Sequence, residues 1–425
     1  MKILILVSLF FSSSAVFSWT NHFLGTYYSL SAMPEMNRLK PVKVESIETF
    51  LKQEAENLVA VLEAEEEYAR KNLINYPQRP DSLKFDPKDK KNQRKNFLRA
   101  LRLNPTIELA LFIQELPGKK SPRPLNFKKV TIFDDDLWIT RYTFTALSEG
   151  GTASPVSVAA SAADEPDYGH DINLYQDNPS DFGKEFNFGN QPFGSTKYIY
   201  GSQAPFHMGF YHEAGIINLA AGFISRTLPE YRIHLYQTLA KFAFEKGHDY
   251  WGFRFMGWAM HYLGDLTQPY HSTVFPGKSA GGMLWINMKS AAGFKSSYEQ
   301  AVERLGDRHT AIEHYQYSAM EKAIMKYPSS TLLSAYQILE NDSKFPAYDD
   351  SYPRAVIAKE SNDKADMLDE LIDNSAEIMK FKSPDYDPPD FKEDDSTKAI
   401  NKFLHGLFTS FGSHIRNFAK SVMKK

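Results

Sequence analysis

The chain of 425 residues contains no cysteine. Disulfides are therefore excluded, and so is every thiolate metal site; a bound metal would have to be held by His, Asp, Glu and backbone groups. Net charge is also scarce, since 49 Lys and Arg stand against 52 Asp and Glu for a formal charge of −3. That balance argues against a surface built to coat nucleic acid, though not against a nuclease with a local site. Long apolar runs are missing beyond the start of the chain, where no later segment reaches the roughly 18 residues that a membrane-spanning helix needs. A soluble exported protein is the expectation.

What stands at the start reads as a secretory signal over residues 1–18. Lys2 is followed by an apolar core, Ile3-Leu4-Ile5-Leu6-Val7 continuing through Phe10-Phe11, and Val16-Phe17-Ser18 offers a small residue at a cleavage site. Export to the periplasm or medium follows, with Trp19 as the mature amino terminus and His22 three residues behind the new amine.

The remainder reads as all-α. Ile47, Phe50, Leu51, Leu58, Val59 and Leu62 recur at helical spacing, as do Leu235, Leu239, Phe242, Trp251, Phe255, Trp258 and Tyr262 between Arg232 and Gly264. Further helices are expected around Ile107–Gln114, from near Ser296, again after Gly306, and around Thr331–Glu340 and Ala355–Lys380, with a brief extended piece at Val130–Phe133. Residues 75–96 and 149–200 are irregular in pattern and predict long loops. Residues 19–385 are expected to form one helical domain. Residues 386–425 are expected to add an amphipathic helix marked by Ile400, Leu404, Phe408, Phe411, Ile415 and Phe418, which either packs on the protein or touches a membrane surface.

Chemistry concentrates in His261-Tyr-Leu-Gly-Asp265-Leu-Thr-Gln-Pro-Tyr-His271. Residues four apart on a helix share a face, so His261 and Asp265 can grip one ion or two adjacent ones. Pro269 stops the helix and lets His271 return to the same pocket. An isolated His and Asp at this spacing is also an ordinary polar pair, and the same holds for His309 and Glu313. Two more imidazoles, His207 and His212, lie among aromatics. The acid cluster Asp164-Glu-Pro-Asp167-Tyr-Gly-His170-Asp171 reads most simply as a turn.

Together these motifs resemble the zinc-dependent phospholipase C family and its relatives, the single-strand-specific zinc nucleases. The resemblance rests on Trp19, on the His261, Asp265 and His271 motif, on Ala162-Ala163-Asp164, and on Pro205-Phe-His207-Met-Gly-Phe-Tyr. It covers residues 20–28 and 164–313, and it implies a multi-helix core of the phospholipase C type with long loop insertions, one of them at about 40–160. One zinc would sit on the Trp19 amine and carbonyl, His22 and Asp265. A second would sit on Asp164, His207, His261 and Asp265, with His212 competing for the role of His207. A third would use His271 with either His309 and Glu313, which requires an insertion, or the nearer run from Lys295 to Glu299, whose lysine cannot ligate.

The implied activity is phosphodiester hydrolysis, with metal-bound hydroxide attacking phosphorus and Asp164 orienting or deprotonating the water. A phospholipid substrate is favoured by the glutamate ending the HxxxE run, where the nucleases carry aspartate, by the lack of cysteine and by the amphipathic carboxyl-terminal helix. A single-strand nuclease is the alternative within the family. A non-catalytic, metal-stabilised envelope or binding protein is the alternative outside it. No protein partner is implied.

Overall fold

A computed structural model describes residues 21–133, 141–194, 199–291, 293, 296–327, 330–383, 385–390 and 394–423. The expected signal segment, Trp19 and Lys295 lie outside the described residues.

The helix Asp249–Leu266 is the axis of the molecule, with every residue from Tyr250 to Leu266 buried. A helix that is apolar all round has to be surrounded. Pro229–Glu245 and Pro155–Asp164 pack along it, and the carboxyl-terminal helix Asp395–Met423 closes another side. Its aromatics interlock: Trp258 meets Tyr236 and Phe255 with ring centroids 5.2 and 5.1 Å apart, within the range for favourable edge-to-face packing.

Helix dominates as the sequence pattern predicts, and the strands are minor. Val42–Lys43 pairs antiparallel with Thr152–Ala153, and Phe112–Gln114 with Phe144–Ala146. The second pair corrects the expectation of a helix over Ile107–Gln114: Phe112, Ile113 and Gln114 find their partners some thirty residues downstream, beyond the reach of local periodicity. The Val130–Phe133 segment follows a 3-10 turn, Phe127–Lys129, and belongs to no strand. The pattern from Arg232 to Gly264 is divided at Lys246-Gly247-His248, where Gly247 adopts φ 81° and ends the first helix. In contrast, Ser296–Met325 runs unbroken through Gly306.

The Ile47–Asn72 helix begins at Ser46, whose side chain accepts from the Thr49 N–H. It packs on Pro229–Glu245 and sends Phe50 to within 5.9 Å of Trp251, so residues from 40–160 share the central core. The carboxyl-terminal helix buries Ile400, Leu404, Phe408, Phe411, Ile415 and Phe418 within the protein, against the first helix His22–Ser31 and Thr331–Ala335. Among the described residues, no helix is long and apolar enough to cross a membrane.

Candidate metal centre

The site is built around the end of the central helix. His261 and Asp265 occupy its last turns and are fully buried. The helix stops because Gln268 takes an extended conformation and accepts from the Tyr270 N–H through its side chain, while Pro269 opens a short turn of helix, Pro269–Ser272. That turn folds His271 back toward Asp265: Nδ1 of His271 lies 3.2 Å from Oδ1 of Asp265. His261 donates from Nδ1 to the Ala163 carbonyl at 2.7 Å. A carbonyl only accepts, so Nδ1 carries a proton, and Nε2 is the atom that faces the cluster.

Three groups of ligand atoms converge, and each could hold a metal ion. In the first, Nε2 of His261 is 3.1 Å from Nδ1 of His207 and 3.2 Å from Oδ2 of Asp265, and His207 Nδ1 is 2.9 Å from that same oxygen. Asp167 Oδ1 completes the set at 3.7 Å from His261 and 3.8 Å from His207. Bonds of about 2.0–2.1 Å to a tetrahedral zinc place its ligand atoms about 3.3 Å apart, close to these edges. The second group brings His22 beside His261 and Asp167. His22 Nε2 is 3.4 Å from Oδ1 of Asp265, and among the described residues neither nitrogen of this buried ring has a closer hydrogen-bond partner. In the third, Nε2 of His271, Nε2 of His309 and Oε1 of Glu313 form a triangle with sides of 3.1, 2.9 and 3.3 Å.

The buried imidazoles and carboxylates shift one another's protonation. Burial alone would lower the pKa of His207, but the carboxylates of Asp265 and Asp171 outweigh it and push it up to about 10. Burial likewise opposes protonation of His271, and its contacts with Asp265 and Glu313 raise it to about 9. His22 goes the other way, to about 3, because it is buried and beside His261. Burial would raise Asp265, but the surrounding imidazoles of His261, His207 and His22 hold it well below the usual carboxylate range. In the metal-free cluster, protons on His207 and His271 thus offset charges that a divalent ion would otherwise neutralise.

A supporting shell fixes these ligands. Asp171 stands 3.6 Å from His207 Nε2 and is itself clamped by Arg232, at 2.6 and 2.9 Å, and by the Tyr262 hydroxyl at 2.5 Å. Burial would raise the Asp171 pKa, but Arg232 and His207 pull it to about 2. Such carboxylates behind ligating imidazoles orient the ring and strengthen it as a donor.

Of the residues singled out in the sequence, His22, His207, His261, Asp265, His271, His309 and Glu313 are brought together. Asp164 is not among these ligand atoms. It ends the helix Pro155–Asp164, and its carboxylate accepts from the Phe23 N–H at 2.7 Å and from Gln114 at 2.9 Å, with burial raising it to about 7. The chain then tightens into a 3-10 turn, Glu165–Tyr168, which swings Asp167 onto the cluster instead. The sequence held the signal in its Asp164-Glu-Pro-Asp167 run, but helical geometry beyond Asp164 decides which carboxylate faces inward. Asp164 still serves the site by tethering the backbone next to His22. His212 points elsewhere, with Nε2 2.7 Å from the Arg354 carbonyl. Glu299 is exposed at the start of its helix. The extra length between His271 and His309 is taken up by the helix Ala280–Ala291 and the first turns of Ser296–Met325.

Compared with models of known protein families, with curated proteins and with solved structures, the chain gives no match.

Proposed function

We propose that this chain is a zinc-dependent phosphodiester hydrolase of the phospholipase C type, acting outside the cytoplasm. The observation that carries the reading is the position of Asp265, whose two oxygens serve different partners: Oδ2 meets His207 and His261, while Oδ1 meets His22 and His271. A carboxylate shared in this way suits a cluster of ions better than one structural ion. The donor set is also all nitrogen and oxygen, which zinc accepts readily. The sequence resemblance centred on His261, Asp265 and His271 points the same way.

Bound zinc would supply charge neutralisation at a phosphoryl oxygen and acidify water toward neutral pH. The protein's own residues do the rest. On this reading His207, His261 and Asp265, with Asp167, hold one ion; His22 and Asp265 contribute to a second; and His271, His309 and Glu313 hold a third. The proton-accepting role expected of Asp164 passes to Asp167. Asp167 is the least buried carboxylate of the cluster, at 12% side-chain exposure, and burial raises its pKa even though His261 and His207 oppose the shift. A base needs that balance of access and basicity. Asp171 and the Ala163 carbonyl keep His207 and His261 in the orientation that ligation requires.

The test is to load purified protein with zinc, count bound metal, and assay phosphatidylcholine, single-stranded DNA and a chromogenic phosphodiester side by side. Two or more zinc ions per chain with phosphatidylcholine cleavage supports the proposal. Preference for single-stranded DNA would replace it with the nuclease reading, and one ion or none with no turnover would replace it with a metal-stabilised binding protein.

A further inference from the structure

The segments leaving two ligand-bearing turns both end in exposed apolar helices. From His207 the chain passes through Met208 and Phe210 into the helix Gly215–Ala220, and from His271 it passes through Val274 into Ala280–Ala291. These two helices pack against each other. The first exposes Ile216 and Leu219, the latter at 87%; the second exposes Trp285 and Met288, at 57% and 62%. On Ala280–Ala291 the exposed positions Gly281, Trp285 and Met288 are spaced four and three apart, a single outward stripe. Met208, Phe210, Tyr270 and Val274, from the segments that lead into these helices, line a small apolar cavity together with Phe193, Leu305 and His309 of the third ligand group.

From this we infer that the paired helices Gly215–Ala220 and Ala280–Ala291 form a docking surface for a phospholipid bilayer, seating the metal cluster at the level of the head groups. The inference rests on the phospholipase reading and adds to it the element that meets the substrate's surface. Contiguous exposed apolar side chains mark an interaction site. The chemistry here selects a bilayer: Lys289 Nζ lies 5.2 Å from the centre of the Trp285 ring, pairing a cation with the aromatic that partitions best to the membrane interface. None of the chain's 52 acidic residues falls within 214–225 or 279–294, and Lys289 is the one basic residue of those two stretches, so the two stretches themselves carry positive charge toward an anionic surface although the chain is net negative. The carboxyl-terminal amphipathic helix has its apolar face buried in the protein core, so its apolar stripe is not available to a membrane.

The test compares the full zinc-loaded chain with the triple variant Leu219→Ser, Trp285→Ser, Met288→Ser in co-sedimentation with vesicles of phosphatidylcholine and phosphatidylglycerol. All three positions are exposed, so folding is retained, and circular dichroism verifies it. The expected result is vesicle binding by the parent chain and a loss of at least about tenfold in partitioning for the variant, given the apolar area removed from three side chains. Turnover of a soluble chromogenic phosphodiester should stay unchanged, and Leu39→Ser, an exposed apolar residue outside both segments, should bind vesicles as the parent does. Equal vesicle binding by the triple variant overturns the proposal. So does a parent dimer in solution that the triple variant dissociates without any vesicle binding, which would assign the surface to a second copy. The two readings fail separately: vesicle binding lost in the variant with no phosphodiester turnover in either protein sinks the enzyme and keeps the surface, whereas soluble turnover with no vesicle binding by the parent does the reverse.

Discussion

His271 and Asp265 meet at 3.2 Å through Nδ1 and Oδ1, while the other nitrogen of the same imidazole closes the triangle with His309 and Glu313. Asp265 therefore reaches all three ligand groups: two directly through its own oxygens, and the third by orienting His271. A second contact of this kind on an imidazole is what fixes its ring plane and tautomer in metal sites.

Loss of this node should be felt across the cluster. Asp265→Asn is expected to lower bound zinc by more than one equivalent and to cut phosphodiester turnover by more than about a hundredfold. His309→Ala should remove about one equivalent, because among the described residues it joins a single ligand group. Metal analysis of the two variants, with circular dichroism to confirm the helical core, decides the matter. Equal losses would mean that Asp265 is not shared.

Metal uptake should expel protons. With His207 at about 10 and His271 at about 9, both rings are protonated at neutral pH in the metal-free protein, and a ligating imidazole must be neutral. Both pKa values are raised above the unfolded value, so each protonated ring stabilises the metal-free fold below about pH 6.5, a contribution lost as pH rises through 9 to 10. Zinc affinity should accordingly climb with pH, about tenfold per unit for each proton displaced, and level off near pH 9 to 10. Calorimetric titration in buffers of different ionisation enthalpy measures the proton count. A count of zero at pH 7 would contradict the charge balance described here.

The sequence made the heart of the site legible because its signal is local. His261, Asp265 and His271 are linked by helix periodicity and one proline, and His309 and Glu313 by a single turn. Their assembly into groups is a tertiary fact, as is the choice of Asp167 over Asp164, which turns on a switch from α-helix to 3-10 helix after Asp164. Asp171, named in the sequence only as part of an acidic turn, gained its role for a related reason: that role comes from Arg232 and Tyr262, distant in sequence and invisible to spacing. The fold shows the same division. Long amphipathic runs such as the one from Ile47 announced themselves, whereas Phe112–Gln114 became a strand only through its pairing with Phe144–Ala146.

Asp171 offers a test of the supporting shell that separates from ligation. Asp171→Asn keeps the shape but removes the charge between Arg232 and His207. From its pKa of about 2 against an unfolded 3.8, the charged form contributes about 2 kcal/mol. The larger cost, about 3–5 kcal/mol, comes from leaving Arg232 buried without its partner, and this should dominate the measured destabilisation. The pKa is depressed, so the Asp171 contribution is complete above about pH 4 and disappears as pH falls through about 2. Denaturation at pH 7 and at low pH should therefore show a gap between parent and variant that narrows on acidification. Zinc affinity should fall by about 10–100-fold as His207 loses its brace, and an unchanged affinity would reduce Asp171 to a purely structural role.

Gly264 tests whether the first helix must approach the central one this closely. A Cβ at this position would lie 2.6 Å from Nδ1 of His22 and 2.8 Å from the Phe411 ring, nearer than real Cβ contacts allow. Gly264 lies in the last turn of its helix, where alanine still suits the backbone better than glycine, by at most about 1 kcal/mol. The clash acts against this gain, and overpacking of a filled core costs about 1–3 kcal/mol. Either His22 moves off Asp265 or the carboxyl-terminal helix gives way at Phe411. His22 has no hydrogen-bond partner among the described residues closer than Asp265 at 3.4 Å, so it should be the one to move. Gly264→Ala is thus expected to fold with a modest loss of stability, to bind less zinc, and to keep the His271, His309 and Glu313 group intact. Metal stoichiometry together with thermal unfolding separates the outcomes: full zinc content with a large drop in Tm would show that Phe411 yields and that His22 is locked more firmly than its 3.4 Å contact with Asp265 implies.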